Sequence, residues 1–156
     1  MNMKLSLKKI RIVITTFIIC FTISNSGIAQ CRSIVKVGIQ KLLPYTHNGQ
    51  INNVTIKDGK PTEIHLSFYK GLYYKLQICS EKSVGKVNFR VLDESNTEVY
   101  NSATSGENAD FWNFYSNSSQ DLVIELKPAE PTAKGGCVAV LVGMQIPKSN
   151  NPIRNL

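Results

Sequence analysis

No His-Glu-x-x-His run occurs in this chain, no two cysteines stand two residues apart, and there is no Gly-x-Ser-x-Gly elbow. The first two absences remove the common local zinc signatures. The third removes the usual strand–turn–helix presentation of a serine nucleophile. Histidine is scarce: His47 and His65 are the only two, and no spacing supplies either with ligand or triad partners. No apolar run reaches the ~20 residues that a membrane-spanning helix needs. Lys and Arg nowhere cluster among stacking aromatics, so the footprint of a nucleic-acid binder is missing. No internal repeat and no second composition regime is visible.

What is present begins with an address. Lys4, Lys8, Lys9 and Arg11 form a basic start, and an uncharged, mainly apolar run follows from Ile12 to Ile23. Polar and small residues lead to Gly27-Ile28-Ala29-Gln30. A positive n-region, an h-region and a small-residue junction make a secretory signal peptide over residues 1–29, cleaved after Ala29. The chain is thus expected to be exported by a bacterium, to the periplasm, the cell surface or the medium, as one domain over residues 30–156. Export changes the charge argument. The chain carries 18 basic and 11 acidic residues; removing the four leader bases leaves 14 against 11, a net of +3. The basic balance of the whole chain therefore says little about the mature protein.

Cysteine needs the same pruning. Cys20 lies in the h-region, which leaves Cys31, Cys79 and Cys137. An exported chain can keep disulfides, but three is an odd number, and one thiol must be left over or pair elsewhere. Cys79 ends one predicted strand and Cys137 begins the last. If those strands are antiparallel neighbours, the two residues face each other, and Cys79–Cys137 is the favoured bridge. A bridge through Cys31, or no bridge and buried thiols, are the alternatives. Cys31 also stands where a lipoprotein signal would place its lipidated cysteine. Gln30 before it is not small, so ordinary cleavage fits better.

The mature chain reads as strands. Residues 33–43 fit either a short helix, capped by Ser33 and stopped by Pro44, or a strand; the broken alternation at Lys41-Leu42-Leu43 favours the helix. From Asn48-Gly49 onward, strand-like runs recur about every ten residues, most of them alternating apolar and polar residues. They cover 51–56, 63–69, 72–79, 86–92, 98–100, 110–115, 122–126 and 138–144, with turn residues between. About eight such strands predict an all-β antiparallel β-sandwich with a short N-terminal helix. The last run is apolar at every position, so it should be central or covered, with the helix as its cover.

Candidate sites are few. Asp93, Glu94, Glu98, Glu107 and Asp110 fall in two loop regions and match no calcium-loop spacing; they read as turn acids, and no metal or cofactor is expected. Asn53-Val54-Thr55 and Asn117-Ser118-Ser119 match the glycosylation pattern by chance in a bacterial chain. The densest aromatic run is Phe111-Trp112-Asn113-Phe114-Tyr115. One face of that strand must be core. Trp112 and Tyr115, joined by Tyr69 and Tyr73 from neighbouring strands, are the candidate aromatic platform for a sugar or peptide.

The run Phe68-Tyr69-Lys70-Gly71-Leu72-Tyr73-Tyr74-Lys75-Leu76-Gln77-Ile78, followed by Val87-Asn88-Phe89-Arg90-Val91-Leu92-Asp93, resembles bacterial prepeptidase C-terminal-type β-sandwich domains. The Ala-Gln end of the leader resembles small secreted Gram-negative proteins. The resemblance covers 63–144, carries no site residues and does not include the cysteines. It implies a jelly-roll-like sandwich and a non-catalytic role. The expected function is a secreted binding module for a glycan, peptide or envelope protein. An accessory part of an envelope assembly comes next, and a small hydrolase last.

Overall fold

Alternation in the sequence becomes two faces in space. A computed structural model describes residues 26–57, 59–106, 110–130 and 135–147, with side chains from residue 31 onward. One helix, α1 (Ser26–Lys41), precedes eight strands: β1 (Thr46–Ile56), β2 (Thr62–Phe68), β3 (Tyr73–Ser80), β4 (Val87–Leu92), β5 (Glu98–Asn101), β6 (Phe111–Tyr115), β7 (Gln120–Pro128) and β8 (Gly136–Gln145). The strands form two four-stranded sheets in the orders β1-β8-β3-β6 and β2-β7-β4-β5. All pairings are antiparallel. That strand order is the jelly roll, a double-sheet solution that leaves short edges.

The core lies between the sheets. Successive side chains on a strand point to opposite faces, so Tyr74, Leu76 and Ile78 of β3 and Val138, Val140 and Val142 of β8 point inward. They meet Leu122, Ile124 and Leu126 of β7 and Phe89 and Val91 of β4. Phe68 closes one end, edge-on to Tyr74 at 4.9 Å and to Phe114 at 5.1 Å. The second sheet meets water on its other face, where Arg90 and Glu125 pair at 2.6 Å.

Strand β8 is buried on both faces because α1 lies across the outside of the first sheet. Its outward residues Ala139 and Leu141 join Val35 and Leu42 of the helix region in a second, smaller core. The helix sits low on the sheet. A Cβ at Gly38 would come within 2.5 Å of Leu141 Cδ1 and 2.6 Å of Cys79 Sγ, and one at Gly143 within 2.7 Å of Tyr45 Cβ. Both glycines therefore mark close approach, one on the helix and one on the sheet. Pro44 lacks the N–H that a continuing helix would need. The last-turn carbonyl of Lys41 accepts the Lys75 ammonium at 2.6 Å, a cation placed where the helix dipole is negative.

Three sequence expectations change in detail. The helix starts at Ser26 and ends at Lys41, so Ser33 sits inside it rather than capping it. Its first turn crosses the Ala29–Gln30 junction; the basic start, the h-region and Cys20 lie outside the described residues. Strand β1 starts at Thr46 rather than Ile51, so Asn48-Gly49 lies within it, where the register shifts between His47 and Ile51 and Gly49 takes φ 87°.

Val140 and Val123 separate the two kinds of strand face. Val140 is fully buried between the sheets, whereas Val123 is half-buried on the outer side of β7. Val140→Asp is expected to abolish two-state folding, because it buries an unpaired carboxylate. Val123→Asp should cost about 1 kcal/mol or less. Thermal melts of both variants decide this, and equal losses would contradict the central placement of β8.

Candidate functional site on the outer face of the first sheet

The outer face of the first sheet carries the helix, the disulfide, a free thiol and an exposed tyrosine pair. Cys31 on α1 bonds Cys137 at the start of β8, with their Cα atoms 5.6 Å apart. Cys79 is free. This corrects the expected Cys79–Cys137 bridge. Those strands are indeed antiparallel neighbours, but Cys79 stands opposite Ala139, and Cys137 O accepts the N–H of Glu81 instead. The two cysteines are diagonal, roughly 7–8 Å apart at Cα for that relation, beyond comfortable bridging distance. The signal for the true pairing was helical: Cys31, Val35, Gly38 and Leu42 recur at i, i+4, i+7 and i+11, the stripe that meets the sheet.

Around the disulfide the backbone is tied to Glu81. Its Oε2 accepts the Cys137 N–H at 2.8 Å, while Oε1 is buried without a hydrogen-bond partner. On the β3 side of the helix, Lys41 Nζ donates to Asp110 Oδ2 at 2.7 Å, with both groups about half exposed. Buried Gln77 donates its amide to the carbonyls of Ile78 and Asp110, which fixes the start of β6. Burial pushes the Cys79 thiol above its ordinary range; Lys41 opposes this and Asp110 adds to it. The hydrogen bond to Asp110 raises the Lys41 ammonium, against a smaller lowering by burial.

The expected aromatic platform is divided between two faces. Trp112 turns inward, opposite Leu76, and stacks on Tyr100 at 4.9 Å and on Phe114 at 4.2 Å. It is therefore part of the core and does not share a face with Tyr115. The partition follows from strand parity, since Trp112 and Tyr115 are an odd number of residues apart. Tyr73 and Tyr115 do pair outward, on adjacent strands, with ring centroids 4.9 Å apart, planes tilted by 52° and exposures of 44% and 43%. Tyr69 lies just past β2 and is exposed; its N–H bonds the Tyr74 hydroxyl. Beside the pair, Lys75 Nζ sits 4.7 Å over the Phe111 ring. At the same end of the sheet, Gln145 stands opposite Tyr73, and the adjoining Ile146 is 77% exposed. Leu43, just after the helix, is 73% exposed.

Glu107 lies outside the described residues; other polar residues singled out from sequence are placed as follows. His47 Nε2 meets the carbonyl of Gln50 at 3.0 Å, and His65 stands on the solvent side of β2 opposite Val123. Asp93 accepts the N–H groups of Ser95 and Thr97 within its own turn. Glu98 accepts both hydrogen bonds from the Asn101 amide. Among the described residues no three His, Cys, Asp or Glu side chains gather as metal ligands would, and no helix is long and apolar enough to cross a membrane.

The sequence matches no protein-family model and no curated protein. Among solved structures, the chain is similar to a periplasmic lysozyme inhibitor of g-type lysozyme from Aeromonas hydrophila. That similarity has 12% identity and a TM-score of 0.48, over 62% of this chain and 85% of the other. It is also similar to a de novo designed double-stranded β-helix, at 16% identity and a TM-score of 0.31, over 62% and 99%. Superpositions this loose bear no functional argument.

Two outcomes are expected at the cysteines. Non-reducing peptide mapping should join Cys31 to Cys137 and leave Cys79 alkylatable. Cys31→Ser should lose on the order of 4–5 kcal/mol in the chain-entropy picture of a loop this long, read by urea unfolding without reductant. A raised thiol also has a pH signature. Below the ordinary thiol range both folded and unfolded chains hold the proton. Above it the unfolded chain releases its proton first, so stability falls as pH climbs towards the folded value. Cys79→Ala should flatten that decline in melts between about pH 8 and 10; an unchanged slope would count against a buried thiol.

Proposed function

We propose that this protein is an exported, non-catalytic β-sandwich module that binds a protein partner through the corner of the first sheet around Tyr73 and Tyr115. The carrying observation is the exposed tyrosine pair itself. Tyrosine offers a large, rigid contact area with a polar tip, and it is enriched at interface centres. Leu43 and Ile146 at the same end of the sheet add apolar surface that a partner would cover.

Chemistry favours a protein here over a sugar. A pyranose stacks its C–H face on a flat aromatic plane, but two rings tilted by 52° offer no common plane, and Trp112 is in the core. Two exposed rings inclined to each other suit a side chain or a turn of another polypeptide. The Cys31–Cys137 disulfide supports an oxidising compartment, in keeping with the leader read from the sequence. An accessory role in an envelope assembly would use the same corner.

The test is capture from envelope extract with the disulfide-bonded protein as bait, beside a glycan array. The Tyr73→Ala/Tyr115→Ala double variant should lose the captured partner by at least about tenfold in affinity, since truncating a central aromatic typically removes over 1 kcal/mol per residue. Its melting temperature should change little, because both rings face outward. A partner retained in full by the double variant, or binding only on the glycan array, would refute the reading.

A further inference from the structure

Each sheet of the sandwich ends in two edge strands, β1 and β6 in the first and β2 and β5 in the second. An edge strand offers unpaired main-chain groups to any other strand, and folded proteins blunt it with charge, proline, a bulge or brevity. Three of these four are blunted. Strand β1 shifts register around Gly49, and β2 carries Glu63. Strand β5 is four residues long, shifts register and carries Glu98. Strand β6 is Phe111-Trp112-Asn113-Phe114-Tyr115. It holds no charge and no proline, and its pairing with β3 runs without a shift.

Hydrogen-bond parity fixes what that edge presents. The N–H of Ile78 donates to the Asp110 carbonyl at 2.7 Å, and that of Ser116 to the Leu72 carbonyl at 3.0 Å. Antiparallel pairs alternate, so Asp110, Trp112, Phe114 and Ser116 turn their main-chain groups to β3. Phe111, Asn113 and Tyr115 turn theirs to the open edge, where no further strand stands among the described residues. On the inner face, Trp112 and Phe114 pack on the core but are only half-buried.

The strand reads almost the same in both directions. A two-fold axis at Asn113 sets Asn113 against Asn113 of a second copy, and Phe111 against Tyr115 of that copy. The open-edge parity makes all of these hydrogen-bonded pairs. On the inner face Trp112 then meets Phe114 of the second copy in the closer, non-hydrogen-bonded relation. Aromatic cross-strand pairs form on both faces, and the uncovered sides of Trp112 and Phe114 gain cover. Acids precede the strand in sequence, and the uncharged run Ser116-Asn117-Ser118-Ser119 follows it. The same axis sets the one against the other, so acids of the two copies do not face each other. Any extended peptide could bond this backbone; the reversal symmetry of the side chains selects a second copy, as an isologous contact requires.

We propose that β6 pairs antiparallel with β6 of a second copy, joining two four-stranded sheets into one across a two-fold axis at Asn113. This pairing uses the strand's edge and does not depend on the protein-binding role of the outward tyrosine rings.

Sedimentation velocity of the disulfide-bonded protein tests it. The weight-average mass should climb from one chain towards two between about 1 µM and 1 mM, the range of a small interface. Asn113→Pro removes an N–H that faces the edge and not β3. It should leave the melting temperature nearly unchanged and abolish the dimer. Asn113→Lys sets like charges opposite each other across the axis and should weaken dimerisation by about fivefold or more at low salt. An equal mixture of Asn113→Lys and Asn113→Glu should restore association, because opposite charges then meet. A one-chain mass at every concentration, a dimer undiminished in Asn113→Pro or Asn113→Lys, or a mixture that associates no better than either variant alone would each overturn the proposal.

Discussion

The docking of α1 onto β8 is the constraint on which the rest of this molecule depends. Strand β8 is apolar along both faces, and one sheet interface can hide only one of them. Without the helix, Ala139 and Leu141 would face water in the middle of the first sheet. Burial of that second face, close approach at Gly38 and Gly143, and the bond from Cys31 to Cys137 all serve the same contact. Lys75 completes it by holding the Lys41 carbonyl. The helix is held at its start by sulfur, at its middle by close packing and at its end by charge.

This placement divides the outer face of the first sheet into regions of different chemistry. Under the helix the surface is closed. Beyond the helix end it is open and aromatic, at Tyr73 and Tyr115. On the β3 flank it becomes a slot, because β3 runs on to Ser80 whereas β6 pairs with it only up to Gln77. The solvent side of the second sheet carries spaced polar groups such as His65, Arg90 and Glu125. Fold and candidate sites thus follow from one asymmetry, a helix on one sheet and none on the other.

Much of this was legible in the chain. Strand-like runs located all eight strands, with β1 starting at Thr46 rather than Ile51, and in most of them period-two alternation was the signal, because such a strand buries one face and wets the other. The doubly apolar run at Val138–Met144 announced a covered strand, and its cover was the helix. Three things were not legible. The helix start was missed because Ser26–Gln30 reads as the tail of a leader. The bridge was misassigned because strand register, set by Glu81 opposite Cys137, differs by two residues from the simplest alignment. Trp112 was grouped with Tyr115 because the aromatic run is dense, though its parity puts it with Leu76 and Phe114 against the core.

The bridge spans 106 residues of sequence, joining the entry of the domain to its closing strand. A chain is made from its N-terminus, so Cys31 and Cys79 exist before Cys137, and the first two of these three sulfurs are not native partners. The native bond waits for the last segment to arrive. What tells the two apart is placement: the docked helix sets Gly38 against Cys79 and brings Cys31 over Cys137.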